Sequence, residues 1–585
     1  MRTPILLYGL AVVVRLALIA LYPDAAYPDS YYYVEVARSL AAGHGLTVPF
    51  VWIMAEVGNT IPDPAVLPVP SNAHWLPLAS FVQAPFIAVM GPSGWASALP
   101  LALISATAAP LTWRIARDAG SPPLVGVGAG VLAAVPAAGT VFMGQPENFA
   151  LLLPLVAATL WLVARGLKGS AWSFAFAGLL AGLASLARND GVLLFGAIGL
   201  IWVGDRLRWW LARRSARRTP GTAASTLPDG ASPAGAAIRR PIPLLAAIGA
   251  VAFFLLVMGP WWARQIAVFG SISPTSSNGS ALWIRDISEW NSITAEPTMA
   301  NFLAQGIGPI VASRVGGFVA ALANFAVVIC SIVLLPLVIV GAWGRRRSID
   351  FVPWFVYTGV VFAGATILYP LHVPGGAFIH SAIGLAPYAY ILALEGVLAT
   401  VTAVARRRPS WNEATAGPVF VWATVVFTMA TAIPFGIGTM RSWDAERQPR
   451  VALAAEMSRL GIPADDRVLS IDAGGIHYWT GHPGVVTPND PIGTVEAVAR
   501  AYGTRWLVLE RGSVAESLAP VLEGAVRPAW IGAPVFTIPA AEGGAPRLAL
   551  YPVCTAPGDD RCGAGAAGGG PAAGSRANGR GAARS

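Results

Sequence analysis

The chain has 585 residues, of which 55% are hydrophobic and 12% charged, and a mean hydropathy of +0.60; this balance excludes a soluble globular protein and points to a polytopic membrane protein. The net charge of +9 comes from arginines, with Lys168 the sole lysine, and they cluster in short runs between apolar segments, which is a mark of membrane topology rather than of a nucleic-acid partner. Three cysteines are too few for a disulfide framework or a Cys-rich metal site; Cys330 lies in an apolar run as a packing residue, and only Cys554 and Cys562 are close enough to pair.

The first apolar run, Ile5 to Leu21, is interrupted only by Arg15, and no small-residue cleavage site precedes Asp24. It reads as a retained helix with the N-terminus inside. The dense polar stretch Tyr27 to Leu46 begins where the chain leaves the membrane. Within it Tyr33, Val36, Ala37 and Leu40 recur at helical spacing and Gly43 stops the pattern, which predicts an amphipathic helix on the membrane surface. Asp29 stands at its start, where a carboxylate serves either as an N-cap or as a free chemical group. His74-Trp75-Leu76-Pro77-Leu78 opens an apolar stretch reaching Met90. At about 24 Å it falls short of a hydrocarbon core of about 30 Å and is expected to lie in the interface.

Leaving 75–90 out of the span count puts every basic cluster on one side: Arg114/Arg117, Arg165/Lys168, Arg206 to Arg218, Arg345 to Arg347 and Arg406 to Arg408. The expected spans are 4–22, 95–116, 123–142, 148–164, 172–187, 191–204, 242–262, 315–343, 351–369, 378–400 and 417–437, about eleven helices. The N-terminus is then cytoplasmic and the C-terminal part extracytoplasmic. In this reading 1–440 is the transmembrane domain, with a first external loop at 23–94, a cytoplasmic basic linker at 205–241 and a second external loop at 264–314. That second loop holds Trp283, Asp286, Glu289, Trp290 and Asn291, suited either to a sugar or lipid head group or to an interfacial aromatic belt.

Residues 441–554 alternate helical and strand patterns too polar to cross a bilayer and form a small external α/β domain, with helices near 445–460, 491–502 and 513–522 and strands at 468–472, at 505–510 and on to about Tyr551. The tail 555–585 is Gly/Ala/Arg-rich and expected to be disordered. Pro and Gly between Cys554 and Cys562 favour a turn, and in an oxidising compartment a disulfide is expected there.

With this topology the outer helix ends collect Asp29, His74, Glu147, Arg188, Asp190, Arg264, Asp286 and His380. Each has a structural alternative: Glu147 as a helix-start charge, Arg264 as an arginine snorkelling to the interface. No Gly-rich phosphate loop follows a strand, so no nucleotide cofactor is expected.

The order Asp29, the aromatic cluster Tyr31-Tyr32-Tyr33, a short Ala/Arg helix and Gly43-His44-Gly45 resembles the first external loop of the GT-C membrane glycosyltransferases of the protein mannosyltransferase and aminoarabinose transferase type. The resemblance implies a polytopic α-helical GT-C fold with a C-terminal extracytoplasmic α/β domain. It implies Asp29 as the catalytic carboxylate and Glu147, in the second external loop, as its partner or as a co-ligand with Asp29 of a divalent metal cation. Tyr32, Tyr33, His74, Arg188, Asp190, Arg264 and His380 would bind substrate. Many relatives carry Asp-Glu where this chain has Asp29-Ser30; Arg188-Asn189-Asp190-Gly191 matches an Arg-Pro-Glu-Gly type turn; and His380 stands where several relatives have arginine. The activity implied is inverting transfer of a sugar from a polyprenyl-phosphate donor in the bilayer to an extracytoplasmic acceptor. Two rivals remain open at this point: a transporter or flippase of lipid-linked glycans, which should place ionisable groups at mid-membrane depth, and a non-catalytic envelope assembly factor.

Overall fold

The computed structural model describes residues 2–218, 240–274, 280–368, 377–408, 410–540, 543–556, 558–559 and 561–562. Most of the basic linker (219–239) and of the expected disordered tail (563–585) lie outside the described residues. Among the described residues seven helices are long and apolar enough to cross a membrane, and an eighth span is formed if the bent pair Pro123–Ala134 and Ala137–Gly144 counts as one. Shorter apolar helices include Leu78–Met90, Ala171–Ala187, Leu334–Arg345 and Val352–Leu368. Leu78–Met90, with its 13 residues, is the stretch expected in the interface.

Three spans before the last differ from the hydropathy reading. The helix expected at 191–204 continues as Val192–Arg218. The segment expected as one span at 315–343 is broken: Ser331 and Ile332 have φ of 44° and 62°, between the helices Ile307–Asn324 and Leu334–Arg345. The third, 123–142, bends by 46° near Pro136 and Ala137. A helix broken inside the bundle leaves carbonyls without partners, and the fully buried Arg15 takes them up, donating to Ala134 O at 2.8 Å, Ala133 O at 3.4 Å and Ser105 Oγ at 2.6 Å. Arg15 therefore does structural work for which a lone charge in an apolar run gives no signal.

One end of the bundle is a layer of matched charges. Asp118 accepts from Trp161 at 3.0 Å and pairs with Arg114 (3.0 Å) and Arg165 (3.3 Å), Lys168 pairs with Asp350 (2.5 Å), and Arg345 holds Glu395 (2.5 Å). The 19 residues of helix Phe149–Leu167 separate this layer from Glu147, a distance of about 28 Å, close to one hydrocarbon thickness.

The last span does not end near 437. Glu413–Arg459 is one helix of 47 residues, about 70 Å long, and it carries the chain past residue 440 into the α/β region. There a sheet runs in the order β2-β5-β4-β6-β8-β7, with β4 Val468–Ser470, β5 Gly484–Val486, β6 Trp506–Glu510, β7 Phe536–Ile538 and β8 Leu548–Pro552. Its first strand, β2 (Phe50–Val51), comes from the loop at 23–94 and pairs parallel to β5, Phe50 opposite Gly484. The other loop strands, β1 Thr47–Val48 and β3 Val69–Pro70, pair antiparallel with each other. The C-terminal sheet is thus built partly from residues more than 400 positions upstream. Cys554 and Cys562 are bonded beside its last strand, with Cα atoms 6.0 Å apart.

Helix Pro28–Ala41 lies between this sheet region and the helical bundle. Residues 30–37 are all buried, so the expectation of a helix resting on lipid is corrected: protein covers the face that was assigned to the membrane surface.

Candidate active site

Pro28, at the first helical position, presets the backbone of helix Pro28–Ala41. Capping falls to Ser30, whose Oγ accepts from the amides of Ala26 (3.0 Å) and Tyr27 (3.1 Å) and donates to Tyr27 O (2.7 Å). The residue that replaces the second acid of the resemblance thereby relieves Asp29 of the N-cap role. The Asp29 carboxylate turns instead to side chains: Oδ1 accepts from Trp75 Nε1 at 3.0 Å, while Oδ2 lies 4.0 Å from Arg188 and 3.7 Å from His380 Nε2.

Glu147 follows the bent segment and precedes helix Phe149–Leu167. Its Oε1 accepts from the amide of Phe149 at 3.0 Å, the helix-start role expected of it, and Oε2 faces His380 Nε2 at 3.3 Å. His380 is stacked on Phe149 at 4.0 Å with ring planes 9° apart. One ligand atom each from Asp29, Glu147 and His380 lies within 4.8 Å of the others. The His380 side chain is 8% exposed and Glu147 0%, whereas Asp29 keeps 23%. Asp29 is the member of the three that an incoming molecule can touch.

Arg188 binds Asp190 at 3.0 Å, and Asp190 also accepts from Ser381. Burial pulls the Arg188 guanidinium down, but Asp190 and then Asp29 outweigh that and hold it firmly charged. The turn 188–191 thus ties the helix ends at 187, 192 and 380 together. Asn189 adds a bond to His74 O at 2.7 Å.

The other expected site residues fall into two groups. Tyr33 is bonded through its hydroxyl to Asn148, and Tyr32 accepts from Asn72 N at 2.7 Å and packs on Trp75 at 4.7 Å; both rings are buried beneath the site. His74 packs against Trp75 and Trp290 (4.6 and 5.2 Å), and burial, with Arg188 nearby, pushes its imidazole down to about 4. It is neutral at physiological pH and cannot serve as a phosphate-binding cation. Arg264 lies over Trp261 and Phe269 and bonds Gln265, which reaches Asn72 O at 2.8 Å; among the described residues Arg264 makes no ion pair with a carboxylate. Asp286 is not part of the cluster: it caps the short helix Ile287–Asn291 through Ser288 N. Trp75 and Ser381 were not anticipated as partners of Asp29 and Asp190. For Trp75 the one available signal was its place in the His74-Trp75 pair.

Residues 70–219 match the family model described as dolichyl-phosphate-mannose-protein mannosyltransferase. In fold the chain is similar to ArnT from Cupriavidus metallidurans bound to undecaprenyl phosphate, with a TM-score of 0.53 and 13% identity over 95% of this chain and 98% of that one. The apo state of ArnT from the same organism gives 0.53 and 14% over 94% and 97%. The apo oligosaccharyltransferase of Archaeoglobus fulgidus gives 0.46 and 13% over 87% and 69%. No curated protein sequence matches the chain. The chain thus has the fold of ArnT, and within it residues 70–219 match the mannosyltransferase family model.

Proposed function

We propose that this protein is an inverting glycosyltransferase that moves a sugar from a polyprenyl-phosphate donor to a hydroxyl on an acceptor at the extracytoplasmic face. The observation that carries this reading is the convergence of Asp29, Glu147 and His380 at the bundle end opposite the matched basic layer. The ArnT relative bound to undecaprenyl phosphate supports the donor class.

The roles follow from exposure and pairing. Asp29, the accessible carboxylate, takes the proton of the acceptor hydroxyl as its oxygen attacks the anomeric carbon, and Trp75 Nε1 fixes which Asp29 oxygen stays available. The bond from that carbon to the phosphate oxygen breaks on the opposite face, its electron pair leaving with the phosphate. Arg264, which has no carboxylate partner among the described residues, supplies positive charge for that group; Arg188 is committed to Asp190 and serves mainly to orient Asp29.

Two carboxylates and an imidazole are also a donor set that fits a divalent cation, and the buried Glu147 Oε2 lies 3.3 Å from His380 Nε2, with Asp29 Oδ2 3.7 Å from the same ring nitrogen. Asp29, Glu147 and His380 would hold such an ion, which would supply Lewis-acid stabilisation of phosphate charge.

The test is turnover by the full-length protein in bilayers with a panel of polyprenyl-phosphate sugars and a membrane extract as acceptor source. Release of polyprenyl phosphate together with a product of inverted anomeric configuration is expected. A donor panel left wholly intact, or a product with retained configuration, would contradict the proposal.

A further inference from the structure

The catalytic reading leaves the C-terminal region without a task, yet its residues 472–479 touch the Asp29 helix directly and reach the partner of the Asp29 carboxylate through Trp52. Along helix Pro28–Ala41, Asp29 and Tyr33 are four residues apart and face the bundle. Tyr31 and Glu35, also four apart, face the other way. That second face is gripped by helix Ala473–Thr480. His477 Nε2 lies 3.5 Å from Glu35 Oε2, and its Nδ1 is held by His482 O at 2.9 Å. Tyr478 packs on Tyr31 at 5.0 Å with the rings tilted by 39° and accepts from Ala25 N at 3.3 Å, and Trp479 Nε1 donates to the Tyr31 hydroxyl at 3.3 Å.

The second connection runs through indoles. Asp472, pinned by Arg450 at 2.6 Å and by Gly475 N at 2.9 Å, accepts from Trp52 Nε1 at 3.2 Å. Trp52 meets Trp75 edge to face at 4.4 Å, and Trp75 donates to Asp29 Oδ1 at 3.0 Å. Eight consecutive residues therefore hold both the backbone that carries Asp29 and the donor that orients its carboxylate. The β2 strand keeps Trp52 in register by pairing with β5.

We propose that segment 472–479 is a positioning element of the active site: Asp472 and His477 are positioning residues that aim the Asp29 carboxylate, and the C-terminal region is part of the catalytic machinery rather than an acceptor-binding appendage. This rests on the transferase reading above. Misplacing a reacting group by about 1 Å costs up to about a hundredfold in rate without weakening substrate binding. A positioning role thus separates turnover from affinity.

The experiment uses full-length protein in bilayers carrying His477→Ala, His477→Lys or Trp52→Phe; the last keeps an aromatic ring at 52 but removes the indole N–H that Asp472 accepts. For His477→Ala the expectation is a kcat lower by roughly tenfold or more with donor KM within about twofold. His477→Lys, whose ammonium can still meet Glu35, should recover to within about threefold of wild type, and Trp52→Phe should lose several-fold in kcat only. In parallel, amide hydrogen exchange over 28–41 should accelerate in His477→Ala, with 149–167 unchanged. An unchanged kcat, or a raised KM at constant kcat, would overturn the proposal. So would unaltered exchange over 28–41, a readout that needs no substrate. A wild-type protein inactive on every donor would sink the transferase reading alone and leave the exchange measurement to decide the positioning role.

Discussion

The two ends of the helical bundle both carry charge, and they treat it differently. At the end that holds Asp118, Lys168 and Glu395, each of these groups meets an opposite one at 2.5–3.3 Å. At the other end two carboxylates and a histidine converge with separations of 3.3 and 3.7 Å, and Arg188 approaches Asp29 only at 4.0 Å because Asp190 holds it closer. An acidic pair with less opposite charge beside it than the paired end supplies has a cost in stability. It is retained where a ligand completes it. The contrast teaches that in this molecule it is incomplete pairing, and not charge as such, that marks the functional end.

The contrast can be sharpened by substitution, beginning where the largest change is expected. Glu147→Gln keeps the size and the bond from Phe149 N but removes the second carboxylate; turnover should fall by about 10²-fold or more while the protein still inserts and folds, measured as initial rate and thermal transition on one preparation. Arg264→Ala should raise the donor KM by roughly tenfold, the worth of one charge-assisted contact to phosphate, and Arg264→Lys should recover part of it. A donor KM unaffected in both variants would move the phosphate site elsewhere.

A smaller effect belongs to Glu56, buried beneath Trp52 and Tyr32, whose carboxyl is pushed up to about 7 by burial. Below pH about 4.5 the folded and unfolded forms are both protonated. Between about 4.5 and about 7 the folded form keeps a proton that the unfolded chain has released, so stability falls as pH rises through this window, by at most about 3 kcal/mol. Glu56→Gln should flatten the dependence of the unfolding temperature between pH 5 and 8; a parallel slope in the variant would refute the assignment. The smallest effect on catalysis is expected at the paired end. Arg345→Ala leaves Glu395 with Ser121 but without its cation and should cost about 1–3 kcal/mol of stability, with turnover per folded molecule within about twofold of wild type.

Much of this architecture is legible from sequence because lipid imposes a simple rule: long apolar runs and one-sided arginines report helices and their order. Asp29 and Glu147 are legible for the same reason, as acids at the ends of apolar runs. The triad is not. His380 reaches Glu147 and Asp29 only because three distant helix ends meet, and residue spacing carries no trace of that. Strand β2 is two residues long, too short for any alternation to announce it. The long helix was divided near residue 440 because polar residues and Pro449 follow there; the structure runs through them since Arg450 is taken up by Asp472 and Glu510. Arg15 at mid-bundle is the kind of ionisable group a transporter would offer, but backbone carbonyls and Ser105 take up its N–H groups, so it holds the bundle together.

The central claim is that Asp29 acts as the base while its counterpart Asp118 at the paired end is structural. It is tested most directly by initial rates of sugar transfer from a polyprenyl-phosphate donor with Asp29→Asn and Asp118→Asn enzymes reconstituted side by side at equal folded protein. The account predicts a loss of about 10³-fold for Asp29→Asn and turnover within about threefold of wild type for Asp118→Asn. Near-normal transfer by Asp29→Asn, or equal losses in the two, would contradict it.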